Sequence, residues 1–390
     1  MQAASWALAP LGLVLALTAC GSSPLGESDH GSAGSAGMSS APTSVPAAVE
    51  LVALYTPPRG WSATALAFDP LREGELWVTL RQPPTTLPCL EVSPRGCSAL
   101  EGEVARVKEA TSATPQMQIE KDGNAWHFMR RPTSIAFGSN GNLSTCGEAR
   151  TDNYEDEAVD YSGPVLWSSD PAIFGAVPTA DQNGTHIDML HDSPFCMGTA
   201  FERDNVYWVF NGQIGAIDRY DFHAPHVVGG EDHSDGELER YVTGQLSRVP
   251  EVPSHLALDA TTRELFIADT GNARVVRLMI DSGTAGADVL ALDPITVHHA
   301  MNDARLDTVV PPGSMSAPSG LLLTPDALIV TDHDTSKIWW FKRDGAPIGS
   351  VDTGLPPGSL AGIALGPDGK LYLSDQLTGN AYRVEETAAQ

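Results

Sequence analysis

Positive charge is scarce in this chain. It has 23 Lys+Arg against 49 Asp+Glu in 390 residues, a formal net charge of −26. Such a surface repels phosphate backbones and anionic bilayers. Nucleic acid is therefore excluded as a direct partner, and a membrane is reachable only through a lipid anchor. The apolar run over residues 6–19 is too short to span a bilayer. No Gly-rich phosphate loop lies between a strand and a helix, which argues against a nucleotide site. No Gly-x-Ser-x-Gly elbow occurs, and the spacing of Ser, His and Asp assigns no triad. Cysteine is limited to 5 residues. What is plentiful is punctuation: 37 Gly and 29 Pro imply many turns, as in an all-β chain, and 42% hydrophobic residues are enough for a core.

The first 20 residues read as an address. The apolar run 6–19 sits where a secretory h-region sits and ends in Leu17-Thr18-Ala19-Cys20. That tetrapeptide resembles the bacterial lipobox, whose cysteine becomes the lipidated first residue. Residues 1–10 depart from the pattern, since they hold no Lys or Arg. Gly21, rather than Asp, follows Cys20. By that resemblance a lipid-anchored protein of the cell envelope is expected, at the outer membrane. Residues 21–47 are rich in Gly, Ser, Ala and Pro and bury too little to offset their ordering entropy, so they read as a flexible tether. Residues 48–386 then form the globular part.

One sketch recurs along that part. It is clearest in VPSHLALDATTRELFIADTGNARVVRL, three short strands separated by Asp/Thr/Gly/Asn turns. An innermost strand of the form apolar-Ala-Phe/Leu appears at Leu66-Ala67-Phe68, Ile135-Ala136-Phe137, Thr199-Ala200-Phe201, Leu256-Ala257-Leu258, Leu321-Leu322-Leu323 and Ile363-Ala364-Leu365. Second strands follow at 76–80, 143–146, 206–210, 265–268, 328–331 and 371–374, and third strands at 103–108, 164–168, 216–222, 273–278, 337–342 and 381–384. Fourth strands are expected at 116–120, 238–243, 287–292 and 347–352, with none evident in the second unit. Six such sheets around an axis make a six-bladed β-propeller with four-stranded blades, each covering its neighbour's apolar face. The last unit lacks a fourth strand, and VELVALY at 49–55 is placed to supply it, closing the ring without a free edge. A pair of β-sandwiches is the rival architecture.

The units resemble NHL repeats and related six-bladed propellers, most closely in PSHLALD…LFIADTGNARVVRL and GIALGPDGKLYLSDQLTGNAYRV. Two propeller enzyme families bear on the site. Peptidyl-hydroxyglycine amidating lyases hold zinc with histidines in Pro-His lead-ins from three blades. Here one unit reads Pro253-Ser254-His255-Leu256, and the equivalent places carry Thr133-Ser134, Cys196-Met197 and Ser319-Gly320. Gluconolactonase-like propellers use a Glu, Asn and Asp set around an axial metal. Asn211 and Asp269 match two of these by position, but Trp61-Ser62-Ala63-Thr64 stands where the Glu belongs.

With Cys20 lipidated, Cys89, Cys97, Cys146 and Cys196 remain, and four cysteines allow three pairings. Cys89 and Cys97 flank one Pro/Gly-rich excursion, which favours Cys89–Cys97. Cys146 ends a second strand and Cys196 leads into the next inner strand, which favours Cys146–Cys196 in an oxidising compartment.

The most unusual loop is FHAPHVVGGEDHSDGE at 222–237. His223, His226, Asp232, His233 and Asp235 fall close together in it, with Glu231 beside them. Imidazoles favour zinc or copper and a carboxylate subset favours calcium. A solvated acidic loop with incidental histidines is the alternative. His255, just before an inner strand, is expected to face the axial channel and to join this loop at the mouth. Asn211, Asp269, Asp332, His333 and Asp375 are further candidates at strand ends. There an Asp can simply accept turn N–H bonds. The expectation is a monomeric, tethered binding module for a peptide, glycan or envelope protein, with a divalent metal ordering the His/Asp loop. A metal-dependent lyase or a lactonase/esterase-type hydrolase is the alternative.

Overall fold

The computed structural model describes residues 44–58, 60–82, 101–152, 160–176 and 183–387. Cys20, residues 21–43 of the tether, and the Cys89–Cys97 pairing lie outside them. The remainder is a six-bladed β-propeller. Its inner strands are Ser62–Phe68, Pro132–Phe137, Cys196–Arg203, Leu256–Asp259, Pro318–Leu323 and Leu360–Leu365. Each abuts the next, and the last returns to the first. Each begins a meander of antiparallel strands running outward. Ala48–Ala53 pairs antiparallel with Ala381–Thr387 and supplies the fourth strand of blade 6, so the N-terminal strand closes the ring.

The sheets stay together because each interface between blades is a dry apolar cluster. Trp77 and Trp167 meet Phe174 between blades 1 and 2. Trp208 and Ile267 share the cluster of blades 3 and 4, and Trp340 and Leu373 that of blades 5 and 6. At the hub the inner strands come close together, and threonine hydroxyls bond across blades. Thr64 Oγ1 donates to Pro132 O at 2.9 Å, Thr133 Oγ1 to Cys196 O at 2.7 Å, and Thr331 Oγ1 to Ala361 O at 2.7 Å. Gly198 is obligatory for the same reason, since a Cβ there would lie 2.2 Å from Ser254 O.

Cys146 and Cys196 form the expected disulfide, tying the second strand of blade 2 to the inner strand of blade 3. Two strand expectations need correction. The fourth strand of blade 2 exists and is His186–Met189. The expected strand at 287–292 is not the fourth strand of blade 4, which is Leu306–Val310. Val309 and Val310 are buried there, whereas Thr284–Asp288 is almost wholly exposed and has nothing to place between two sheets. Thr284–Asp288 and Val297–Asn302 instead form a hairpin, which adds to the outer edge of blade 3 by parallel pairing with Glu237–Tyr241.

Candidate metal centre

The loop at 222–236 leaves blade 3 and lies along the outermost strand of blade 2. His226 N donates to Ile187 O at 3.0 Å, Gly229 N to His186 O at 2.8 Å, and Asn183 N to Gly229 O at 3.1 Å. The loop covers that sheet edge as an added strand would. It therefore does not reach the axial mouth, where the sequence reading placed it. Backbone pairing with an exposed edge decides its course.

This pairing creates a site. Side chains two apart in a strand share a face, so His186 and Asp188 face the loop's histidines while Ile187 enters the core between blades 2 and 3. One nitrogen from each of His186, His226 and His233 lies within 4.8 Å of the other two. His233 Nδ1 donates to Asp188 Oδ1 at 2.9 Å and His226 Nδ1 to Val227 O at 2.6 Å. With Nδ1 protonated, each presents Nε2 as a lone pair. His226 Nε2 and His186 Nδ1 are buried without a partner. The pKa of His186 is pushed down to about 2, by burial first and then by His226 and His233 beside it, so it is a neutral imidazole at every physiological pH. Phe128 stacks on it at 3.8 Å.

Beside the three histidines lies a cleft of about 380 Å³, walled by Trp126, Phe128, Tyr161 and Met189. In the same cleft His191, its ring centroid 6.1 Å from that of His233, stacks on Tyr161 at 3.8 Å. His191 Nδ1 donates to Asp293 Oδ1 at 2.9 Å, its backbone N–H to Asp293 Oδ2 at 2.6 Å, and its Nε2 is buried without a partner. Burial lowers the His191 pKa, although Asp293 opposes it. Asp293 arrives on the hairpin that joins blade 3. His127, at the same cleft, donates Nδ1–H to Asp152 O at 2.6 Å, and burial pushes its pKa down to about 4.

The other residues singled out from the sequence go elsewhere. His223 joins Asp221 and Glu237 in a second, more exposed group. Asp232 turns away to accept from Ser234, and Asp235 accepts the N–H of Ala224. His255 is in the hub, its Nε2–H on Thr133 O at 3.0 Å and its ring against Gly362 of blade 6. Asp269, Asp332 and Asp375 accept backbone N–H bonds from Ser247, Ala317 and Leu377. Asn211 donates to Asp192 O and Asp218, and His333 to Leu360 O. These are turn and strap contacts of the propeller.

Sequence reading missed His186, Asp188, His191 and Asp293. HIDMLHD at 186–192 alternates apolar and polar residues, which is a strand signal. That signal was available for His186 and Asp188. Nothing in the sequence points to Asp293, because the hairpin that carries it pairs by parallel addition with a strand 60 residues away in register, Val297 beside Glu237, far beyond any local periodicity.

Burial pushes the His255 pKa down to about 4, with the bond to Thr133 opposing. The neutral form is thus favoured in the folded state. On acidification the unfolded chain takes up a proton near its ordinary value of 6.5, while the folded chain does not until about pH 4. Stability is lost as pH falls through that window, on the order of 3 kcal/mol at most for this group. His255→Gln keeps a donor for Thr133 O and removes the titration. Denaturant titrations should show the difference between the wild type and this variant changing between pH 6.5 and 4 and constant above pH 7.5; a constant difference throughout would refute the assignment.

Fold and site together define a six-bladed β-propeller with an off-axis histidine cluster on its rim. No protein-family model matches the chain, and no curated protein matches it. Its likeness is to solved structures. An auxiliary nutrient binding protein from Bacteroides ovatus is 9% identical with a TM-score of 0.50, over 87% of this chain and 77% of that one. The calcium-binding protein regucalcin from Agrobacterium tumefaciens is 13% identical with a TM-score of 0.48, over 88% and 95%. A streptogramin B lyase is 12% identical with a TM-score of 0.46, over 87% and 97%. At these identities the likeness is one of fold.

Proposed function

We propose that this protein is a lipid-anchored binding module of the cell envelope, whose propeller holds a divalent transition metal at His186, His226 and His233. A small ligand is taken into the adjoining cleft. The observation that carries this reading is the convergence of three imidazole nitrogens, two of the rings oriented by a carboxylate or carbonyl behind them. Nitrogen donors favour zinc or copper over calcium. Three protein ligands leave a coordination position open, as in sites that bind or transform a ligand rather than closed structural sites. The aromatic wall suits a ligand with an apolar part.

A second reading is a metal-dependent lyase or hydrolase. It is favoured by His191, whose unpartnered Nε2 is backed by Asp293 in the manner of an oriented base. A metal there would supply Lewis-acid polarisation of a ligand oxygen. Elemental analysis of protein purified without an affinity tag, followed by zinc titration of the chelated protein, tests the metal centre. One equivalent is expected, and none would refute it. Turnover on a lactone and ester panel that is lost with the metal would favour the enzyme over the module. Lipidation at Cys20 predicts that labelled palmitate enters the wild type and not Cys20→Ala; equal labelling of both would remove the anchor.

A further inference from the structure

A second pocket, of about 380 Å³, lies among Arg131, Glu148, Phe195, Arg248 and Glu251. It gathers guanidinium groups in a chain that has few cations. Glu148 is its fixed floor. The side chain is 3% exposed and accepts from Arg81 Nη1 at 3.4 Å, Arg131 Nη2 at 3.5 Å and Arg248 Nη1 at 2.5 Å, and from the backbone N–H of Glu251. Glu251 is different. Its side chain is 61% exposed, yet it accepts from Arg81 Nη1 at 3.1 Å and from Arg131 Nη2. Even so the arginines have donors to spare. Arg81 Nη2 and Arg131 Nε are buried without a partner, and the Arg81 side chain is only 7% exposed.

The backbone points the same way. Arg131, Phe195 and Glu251 have φ of 45°, 52° and 71°, a region that favours glycine. Glu251 is the third residue of a turn closed by Val252 N on Val249 O at 3.2 Å, with Pro250 second. A turn of that sign takes glycine at this place without strain. A glutamate held there, with its carboxylate half in solvent and lying on the buried Arg81 and the half-buried Arg131 guanidiniums, is poorly explained by stability. Strain of this kind gathers at ligand sites.

We propose that this pocket binds a small carboxylate-bearing ligand, whose carboxylate replaces that of Glu251 on Arg81 and Arg131. Glu251 is then a built-in stand-in. It keeps the guanidiniums apart from other anions and swings out when the ligand arrives, while Glu148 stays and holds the planar forks in register. The placeholder is itself a carboxylate, and Glu148 at the floor disfavours a second negative charge on the one group seated there, as a phosphate carries. The site does not depend on the histidine cluster.

Calorimetric titration of the full chain with glutarate tests this, with acetate and inorganic phosphate as comparators. Glu251→Gln is expected to bind glutarate at least 10-fold more tightly than the wild type. Glu251→Gly should do the same and unfold at no lower temperature, because the turn is relieved. Arg131→Gln in the Glu251→Gln background should lose at least 10-fold, and Arg131→Lys, which keeps the charge without the fork, should lose part of it. If Arg131→Gln does not fold, Arg131→Lys decides. His233→Ala should leave the glutarate affinity unchanged. Equal affinity in the wild type and both Glu251 variants, or no binding in any, would overturn the proposal. So would phosphate binding as tightly as glutarate, which would mark general attraction of anions.

Discussion

Replacing His233 by alanine is expected to abolish zinc binding and to leave the propeller folded. His233 supplies one of three converging nitrogens, and two imidazoles hold the ion far more weakly than three. A larger loss is expected than for Asp188→Asn, which only weakens the orientation and basicity of His233 and should cost roughly 10–100-fold in affinity. His226→Ala should behave like His233→Ala, and Asp232→Ala should have no effect, since Asp232 is turned toward Ser234. The thermodynamic readout is independent of any activity. Free zinc at 100 times its dissociation constant should stabilise the wild type by about 2.7 kcal/mol and the alanine variants not at all. A His233→Ala protein that still binds one equivalent of zinc and is stabilised by it would refute the site.

Reduction of Cys146–Cys196, or its replacement by two serines, is expected to cost a large share of stability, since both sulfurs also lie in the apolar cluster between blades 2 and 3. The bond closes a loop of 50 residues. Constraint of the unfolded chain by a loop of that size is worth about 4 kcal/mol. The loss has a local address. Thr133 Oγ1 donates to Cys196 O at 2.7 Å and lies 3.1 Å from Cys146 O. The disulfide therefore pins blade 2 to blade 3 at the hub, on the same two blades that the histidine loop bridges at the rim. Denaturant unfolding with and without reductant measures the loss. Zinc affinity in the same samples shows whether the rim follows the hub. Unchanged stability on reduction would show that the blade interface alone holds the two sheets in place. A fall in zinc affinity by more than roughly tenfold, the size of a lost orienting contact, would show the bond is also needed to align the loop.

Some of this protein was legible in its residues. The repeat of an apolar inner strand, a turn and a second strand requires one sheet per unit. Six units require a ring, because each sheet has two apolar faces and only neighbours can cover them. The same logic placed residues 49–55 beside the last strand, where Ala48–Ala53 pairs, and paired Cys146 with Cys196. These inferences rest on short-range periodicity and on the rule that edges and apolar faces must be covered. The unusual composition of the loop at 222–237 was equally visible.

Where that loop goes was decided by tertiary structure. Its course depends on which sheet edge has unpaired N–H and C=O groups within reach, and those belong to His186–Met189 of the preceding blade. That choice replaced His223, Asp232 and Asp235 with His186 as the companion of His226 and His233, and left His255 alone in the hub. Parallel addition of the 284–302 hairpin to blade 3 then brought Asp293 to His191. A residue's type and spacing along the chain dictate which local element it joins. Its neighbours across sheets follow from hydrogen-bonding edges and inserted segments, and these carry no periodic mark in the sequence.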